Sequence, residues 1–131
     1  MSNIEKPTKN AIIEIINKVG NIELGKPFQR EIFLIDTHVA GTTYVEDIDV
    51  IGENIVKGTK LNFFREKDNK YDELAIIIKD EKGNKIGYVP KDKNEVLARL
   101  MDAGKLIYGI VEDKEYIDNW LKIDISIYLK D

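Results

Sequence analysis

The 131-residue sequence contains no cysteine and a single histidine, His38. The first absence excludes disulfides, thiolate nucleophiles and cysteine-based zinc sites. The second leaves His38 as the sole candidate for histidine catalysis, and no set of partners for it is evident in the sequence. Glycine motifs of the P-loop and dinucleotide-binding types are also missing. The sequence therefore offers no positive evidence for an enzyme, and we expect neither a cofactor nor a bound metal.

Long apolar runs are missing too. No stretch approaches the roughly 18–20 residues that cross a membrane, and residues 1–10 lack the apolar region of a signal peptide. We therefore expect a soluble, cytoplasmic protein that does not contact membranes. Acidic residues outnumber basic ones by 24 to 20, which gives a net charge of −4. This balance excludes a generally basic DNA-coating protein but leaves room for a local basic patch.

A hydrophobic content of 43% suffices for one core, and the length suits one domain. Residues 1–28 are predicted to be a helical extension and linker, with residues 29–131 as the main domain. The extension contains four apolar residues that share one helical face: Ile12, Ile15, Ile16 and Val19. This helix either packs on the main domain or forms a dimer, and the sequence leaves the oligomeric state open.

From Arg30 onward, short apolar runs indicate β-strands. Residues 47–51 predict a further short strand or an irregular crossing, and residues 39–44 a tight turn or bulge. Gly83 and Asn84 predict a hairpin turn. The predicted strands cover residues 32–35, 61–63, 74–78, 86–89, 106–111 and 121–129, the last with regular alternation of apolar and polar side chains.

One helix interrupts the later strands. Asp92 and Glu95 are spaced like the N-cap and third residue of a capping box, an apolar face follows over residues 96–101, and Gly104 ends the helix. The whole pattern predicts a mainly β protein of the α+β class, either a small barrel or a sandwich. We favour the barrel, since closure removes exposed strand edges.

Charge is unevenly distributed along the chain. Residues 57–70 contain five basic residues against two acidic ones, whereas residues 44–56 contain four acidic residues and no basic one. The basic stretch adjoins Tyr71 and precedes Lys91 and Lys93. A nucleic-acid groove needs cations for phosphates and aromatic faces for unstacked bases. An ordinary solvated face has the same composition, so charge alone does not decide.

Four motifs, in order, resemble those of the HIRAN domain family. Residues 64–76, FREKDNKYDELAI, resemble the family core REP-x-N-x-YD-x-NAI. Residues 41–44, GTTY, resemble its early glycine–tyrosine element, and residues 83–90, GNKIGYVP, its hairpin. Residues 97–104 resemble the helix ending in glycine that follows. The resemblance spans residues 30–129, and we identify the chain as a stand-alone, bacterial member.

The resemblance implies an OB-like β-barrel with an inserted helix, in addition to the N-terminal helix. It also implies a non-catalytic module that binds single-stranded DNA at a free 3′ end, in DNA repair or processing. Tyr44 and Tyr71 would hold the terminal base between their rings, Asp72 would accept a hydrogen bond from the 3′-hydroxyl, and Lys91 would contact a phosphate. The other site residues that the resemblance implies are Gly41 and Thr43 in the pocket wall, Arg65 and Asn69 as DNA contacts or structural residues, and Tyr88 at a variable hairpin position.

Three positions depart from the family pattern. Thr43 stands where eukaryotic members tend to have a basic residue, Lys67 replaces the proline of REP, and Leu74 replaces the asparagine of NAI. The change at Thr43 removes one phosphate contact. Together with the net charge of −4, it predicts weaker binding than in the eukaryotic relatives, or none.

Two alternatives remain. The first is a protein-interaction module on an OB-like barrel, for peptide binding or dimerisation, with a partner from the DNA-processing machinery. It would show a sizeable exposed apolar patch, or a stable homodimer through residues 4–19. A metal-dependent nuclease would need clustered carboxylates. The candidates for such a cluster are Asp47, Asp49, Asp68 and Asp72, whose spacing does not match an EF-hand.

Overall fold

The structure, a computed structural model, describes residues 30–131. The predicted N-terminal helix and its packing or dimerisation role lie outside the described residues, so the division into an extension and a main domain stays a prediction. The described elements, in chain order, are β1 (Glu31–His38), a 3-10 turn (Thr42–Tyr44), α1 (Ile48–Glu53), β2 (Lys60–Arg65), β3 (Ile76–Lys79), β4 (Lys85–Tyr88), a 3-10 turn (Lys91–Lys93), α2 (Asn94–Asp102), β5 (Leu106–Ile117) and β6 (Trp120–Lys130).

The strands form one antiparallel sheet of six, in the order β1-β6-β5-β2-β3-β4. β5 and β6 are the longest strands and make a hairpin whose register runs from Leu106↔Lys130 to Ile117↔Trp120. The alternation predicted for β6 is confirmed, because Leu121, Ile123, Ile125 and Ile127 are all at most 2% exposed. These side chains line the concave side of the sheet and form the centre of the core.

The two outer strands of the sheet approach each other, which makes the sheet a partly closed barrel. Ala40, just beyond β1, pairs with Tyr88 of β4 through two backbone hydrogen bonds of 2.8 and 2.9 Å. An ideal Cβ on Gly87 would lie 2.4 Å from the Ala40 carbonyl oxygen and 2.5 Å from Val39 Cγ1, so only glycine permits this approach. The predicted small OB-like barrel is confirmed.

The prediction of a strand or irregular crossing at residues 47–51 is wrong, because α1 occupies this stretch. Ile48, Ile51 and Ile55 follow helical spacing and contact the core, while Val50 is 62% exposed. Gly52 lets α1 lie directly on β6, since a Cβ there would be 2.8 Å from Leu121 Cδ2. The apolar residues were too few to separate helix from strand by periodicity.

The inserted helix α2 is confirmed, but its predicted capping box is wrong. The helix begins at Asn94, after the 3-10 turn that contains Asp92, and no side chain caps it. Glu95 instead lies 3.4 Å from Arg99, one turn along the same helix. Gly104 ends α2 as predicted, with a φ of +94°. Within residues 30–131, neither helix has the length and hydrophobicity that crossing a membrane requires.

The hairpin predicted at Gly83 and Asn84 is confirmed, although its loop is longer than two residues. Asp80 and Asn84 flank a turn in which Gly83 adopts a φ of +90°. The Asp80 carboxylate accepts hydrogen bonds from the backbone N–H groups of Lys82 (2.9 Å) and Asn84 (2.8 Å). These bonds fix the turn that joins β3 to β4.

We expect Gly87→Ala to lower the free energy of unfolding by about 2–5 kcal/mol, because it adds backbone strain and a clash with Ala40. Gly83→Ala is the matched control. It also has a positive φ, but nothing lies within 4 Å of its added Cβ, so strain alone should cost about 1–2 kcal/mol. Urea unfolding of both variants measures the difference. Equal destabilisation would show that the Ala40–Tyr88 approach does not depend on Gly87.

Candidate functional site

The loop after β1 presents Tyr44 to solvent. Gly41 adopts a left-handed conformation with φ +79° and starts the 3-10 turn. Thr42 is fully buried, and its Oγ1 donates a hydrogen bond of 2.7 Å to the Leu121 carbonyl oxygen of β6. Thr43 is exposed, and Tyr44 is 91% exposed. The turn is therefore anchored by one buried hydroxyl, and its next two side chains are free of the core.

The loop between β2 and β3 presents Tyr71 in a similar way. Asn69 Oδ1 accepts hydrogen bonds from the backbone N–H groups of Tyr71 (2.8 Å) and Asp72 (3.0 Å). Its Nδ2 donates to Glu66 Oε1 at 2.6 Å. Asparagine is suited to this task, since its side chain can stand in for backbone in a turn. The backbone of Tyr71 is thus held by Asn69, while its side chain is 87% exposed.

Asp72 lies partly buried beside Tyr71. Its Oδ1 accepts from the Leu74 N–H (2.9 Å), and its Oδ2 accepts from Asn94 Nδ2 (2.8 Å). Burial raises the pKa of this carboxyl, but the hydrogen bonds from Asn94 and Leu74 and the charges of Lys91 and Arg65 outweigh it and leave the pKa below its ordinary value. Asp72 is therefore ionised at neutral pH and can only accept hydrogen bonds.

Arg65 is engaged inside the protein. Its guanidinium donates to the carbonyl oxygens of Ala75 (2.7 Å) and Glu73 (2.9 Å), and its Nε lies 3.0 Å from Asp102 Oδ1 in α2. The side chain is only 11% exposed. Of the two roles that the sequence left open for Arg65, this geometry supports the structural one, as a clamp between the loop and α2.

Tyr88 links the β2–β3 loop to β4. Its hydroxyl donates to Glu66 Oε1 at 2.7 Å and accepts from Lys85 Nζ at 3.0 Å. Hydrogen bonds from Asn69 and Tyr88 lower the pKa of Glu66, helped by the charge of Lys85 and opposed by burial. Glu66 is therefore ionised at neutral pH, and it connects Asn69 in the loop with Tyr88 in β4.

The structure connects the predicted site residues through contacts around β4. Gly41, Thr43 and Tyr44 follow Ala40, which is bonded to Tyr88. The Tyr88 hydroxyl and Asn69 Nδ2 both donate hydrogen bonds to Glu66. Asn69 in turn accepts hydrogen bonds from the backbone N–H groups of Tyr71 and Asp72. Lys91 is exposed and close enough to Asp72 to lower its pKa. Five of the nine predicted site residues are exposed to solvent: Gly41, Thr43, Tyr44, Tyr71 and Lys91. The side chains of the other four form hydrogen bonds within the protein: Arg65, Asn69, Asp72 and Tyr88.

Sequence reasoning missed three residues that build the site: Thr42, Glu66 and Asn94. Nothing in the sequence separates the buried Thr42 from the exposed Thr43. Glu66 lies within the family motif, three residues before Asn69, and that spacing in a loop was the one available signal. Asn94 lies 22 residues from Asp72, in a different element, so no local pattern connects the two.

The candidate carboxylates do not form a metal centre in the part of the chain that the structure describes, where no group of three or more histidine and acidic side chains could hold an ion. Asp49 instead accepts a hydrogen bond from the Tyr116 hydroxyl at 3.1 Å. His38 packs edge-on against Trp120, with ring centroids 6.1 Å apart.

Two of the clefts that residues 30–131 form lie at different parts of the sheet. A cleft of about 290 Å³ adjoins Tyr44, and its lining also includes Glu46, Asn84 and Lys85. A larger one of about 790 Å³ includes Phe33 and contains none of the nine predicted residues. Its lining includes three carboxylates, Asp36, Glu112 and Asp124, and one lysine, Lys122, whose Nζ lies 3.6 Å from Asp124 Oδ1. We therefore place the candidate site at the β4 side, where the tyrosines and Lys91 lie.

Comparison with known proteins gives one family and several similar structures. The chain is 28% identical to a protein from Lactobacillus plantarum whose crystal structure matches with a TM-score of 0.72, over 79% of this chain and 99% of that one. The crystal structure of the HIRAN domain of human HLTF matches with a TM-score of 0.60 at 22% identity, over 76% and 78% of the two chains. The NMR structure of the HLTF HIRAN domain in its DNA-bound conformation matches with a TM-score of 0.54, also at 22% identity and with the same coverage.

No curated protein sequence matches this chain. The HIRAN domain family model matches residues 32–130, which include every motif that carried the resemblance. The chain therefore belongs to the HIRAN domain family.

Proposed function

We propose that this protein is a non-catalytic module that binds single-stranded DNA and holds a free 3′ end. The observation that carries the proposal is the pair of tyrosines, Tyr44 and Tyr71, which are 91% and 87% exposed on two anchored loops. Their rings contribute little to the core. The turn before Tyr44 is anchored by the buried Thr42 hydroxyl, and the backbone N–H groups of Tyr71 and Asp72 both donate to Asn69 Oδ1. An exposed aromatic ring on a loop whose backbone is held in place is suited to stacking on a base.

Asp72 supplies the end selectivity in this proposal. An ionised carboxylate accepts a hydrogen bond from a 3′-hydroxyl and repels a 3′-phosphate. Its lowered pKa keeps it in that form at neutral pH. Lys91, exposed beside it, contacts the phosphate of the preceding nucleotide.

Family membership supports the same ligand class, since the HLTF HIRAN domain has been solved in a DNA-bound conformation. A module that recognises ends serves repair or processing of DNA, here in the bacterial cytoplasm. Because Thr43 offers no charge and the protein is acidic overall, we expect weaker binding than in relatives with a basic residue at that position.

We expect Tyr44→Ala and Tyr71→Ala each to weaken binding of a short 3′-hydroxyl oligonucleotide by about 1–3 kcal/mol, or roughly 5- to 150-fold, through lost stacking. Fluorescence anisotropy at low salt measures the affinity, because phosphate contacts are strongest there. Tyr116→Ala is the matched control, since Tyr116 is 54% exposed on the β5–β6 hairpin. If the control loses as much affinity, the two tyrosines do not form the site. If the wild-type protein does not bind at tens of micromolar, the protein-interaction alternative gains.

We expect Asp72→Asn to weaken binding of a 3′-hydroxyl end by about 10-fold or more, as loss of a hydrogen bond to a charged group does. Binding of a 3′-phosphate end should stay equal or improve, because the repelling charge is gone. Isothermal titration with the two oligonucleotides measures this ratio. A variant that keeps the wild-type preference would remove Asp72 from the site.

The affinity of the wild-type protein for the 3′-hydroxyl oligonucleotide should not change between about pH 5 and pH 8, because Asp72 stays ionised over that range. The folded-state pKa of Asp72 lies below its ordinary value of 3.8. The carboxylate therefore stabilises the fold above that ordinary value, and this contribution is lost only as the pH falls through the lower folded-state pKa. A 3′-hydroxyl affinity that titrates near neutral pH would assign the recognition of the hydroxyl to another group.

A further inference from the structure

The inserted helix α2 holds the β2–β3 loop at both ends. At its first residue, Asn94 Nδ2 donates to Asp72 Oδ2 at 2.8 Å. At its last residue, Asp102 lies 3.0 Å from Arg65 Nε, and the same guanidinium donates to the Glu73 and Ala75 carbonyl oxygens. The segment that carries Tyr71 and Asp72 is thereby attached to a helix whose Leu97 and Ala98 lie in the core.

Asn94 is an unusual residue to find at this place. It is 2% exposed, and a buried amide is costly unless it is hydrogen-bonded. Within residues 30–131, its side chain makes one hydrogen bond, to Asp72. The contact therefore explains why a polar side chain occupies a buried position at the start of α2.

The bond fixes the carboxylate without cancelling its charge. Leu74 N–H holds Oδ1 and Asn94 holds Oδ2, so the plane of the carboxylate cannot rotate freely. Both donors are uncharged. The cations that lower the Asp72 pKa, Lys91 and Arg65, act on it through charge. The remaining acceptor directions of Asp72 stay available in a fixed orientation.

We propose that Asn94 is a positioning residue that orients the Asp72 carboxylate toward a 3′-hydroxyl and so sets the preference for hydroxyl over phosphate ends. This inference rests on the proposed function. It assigns specificity to the inserted helix, which the sequence motifs identify only as a structural insertion.

The test uses Asn94→Leu, which has a similar size and no donor, with Val96→Ala as the control. Val96 lies on the same helix and is 68% exposed. We expect Asn94→Leu to lower the ratio of 3′-hydroxyl to 3′-phosphate affinity by about 10-fold or more, while the affinity for the 3′-phosphate oligonucleotide changes little. Carboxyl ¹³C NMR titration without DNA should show a raised Asp72 pKa. The control should change neither.

Asn94→Asp gives a second readout that a purely structural role would not produce. Two carboxylates at hydrogen-bond distance cannot both ionise without strong repulsion, so the pair retains one proton at lower pH. The affinity of this variant for the 3′-hydroxyl oligonucleotide should be weak at about pH 8, where no donor orients Asp72, and recover toward about pH 5, where the retained proton supplies one. The wild-type affinity for the same oligonucleotide should not change over this range.

The outcomes separate the two claims. If wild-type protein prefers hydroxyl ends, Asn94→Leu keeps that preference and Asn94→Asp keeps the wild-type hydroxyl affinity at every pH, Asn94 has no positioning role and the proposed function stands. If wild-type protein shows no end preference, the proposed function fails and the inference fails with it, whatever the Asp72 pKa does. Two results together support both the proposed function and the positioning role of Asn94. The first is loss of the hydroxyl preference with a raised Asp72 pKa in Asn94→Leu, and the second is recovery of hydroxyl affinity at low pH in Asn94→Asp.

Discussion

The pairing of Ala40 with Tyr88 is the contact on which the candidate site depends. Two backbone hydrogen bonds contribute only about 0.5–1.5 kcal/mol each, so their importance is geometric. They bring the end of β1 to β4, and the absence of a side chain at Gly87 allows that approach. Without this closure, the loop carrying Tyr44 and the strand carrying Tyr88 would lie at opposite edges of the sheet.

Tyr88 contacts both loops of the candidate site. Its backbone pairs with Ala40, which fixes the start of the Tyr44 loop, and its hydroxyl bonds to Glu66, which fixes the Tyr71 loop. One short strand thus sets the positions of two loops that are far apart in sequence. Loops already held in place lose little freedom when a ligand binds, and this preorganisation favours affinity. The exposed rings can then serve binding, since other residues make the structural contacts.

Much of the fold could be predicted from local patterns, and the failures have physical causes. The alternation in β6 was decisive because one face of that strand is wholly buried. The stretch at 47–51 was misassigned because six helical residues supply too few apolar positions to define a period. The capping box failed because a 3-10 turn precedes α2, which shifts the helix start past Asp92. At both places the structure adds a contact that no local pattern shows, between Gly52 and Leu121 in the first and between Asn94 and Asp72 in the second.

The residues that would face a ligand were easier to predict than those that hold them. Tyr44, Tyr71 and Asp72 belong to motifs that can be read along the chain, whereas Thr42 and Asn94 act through partners 79 and 22 residues away. The negative net charge of the protein makes the residues that hold the site in place, such as Thr42 and Asn94, more important for binding. Since a net charge of −4 opposes phosphate binding, the proposed DNA binding would rely on stacking and on the chain end more than on the phosphate backbone. Recognition of that kind needs a carboxylate in a fixed orientation, so the proposal gives the contacts of Asp72 with Leu74 and Asn94 the same weight as the exposed rings of Tyr44 and Tyr71.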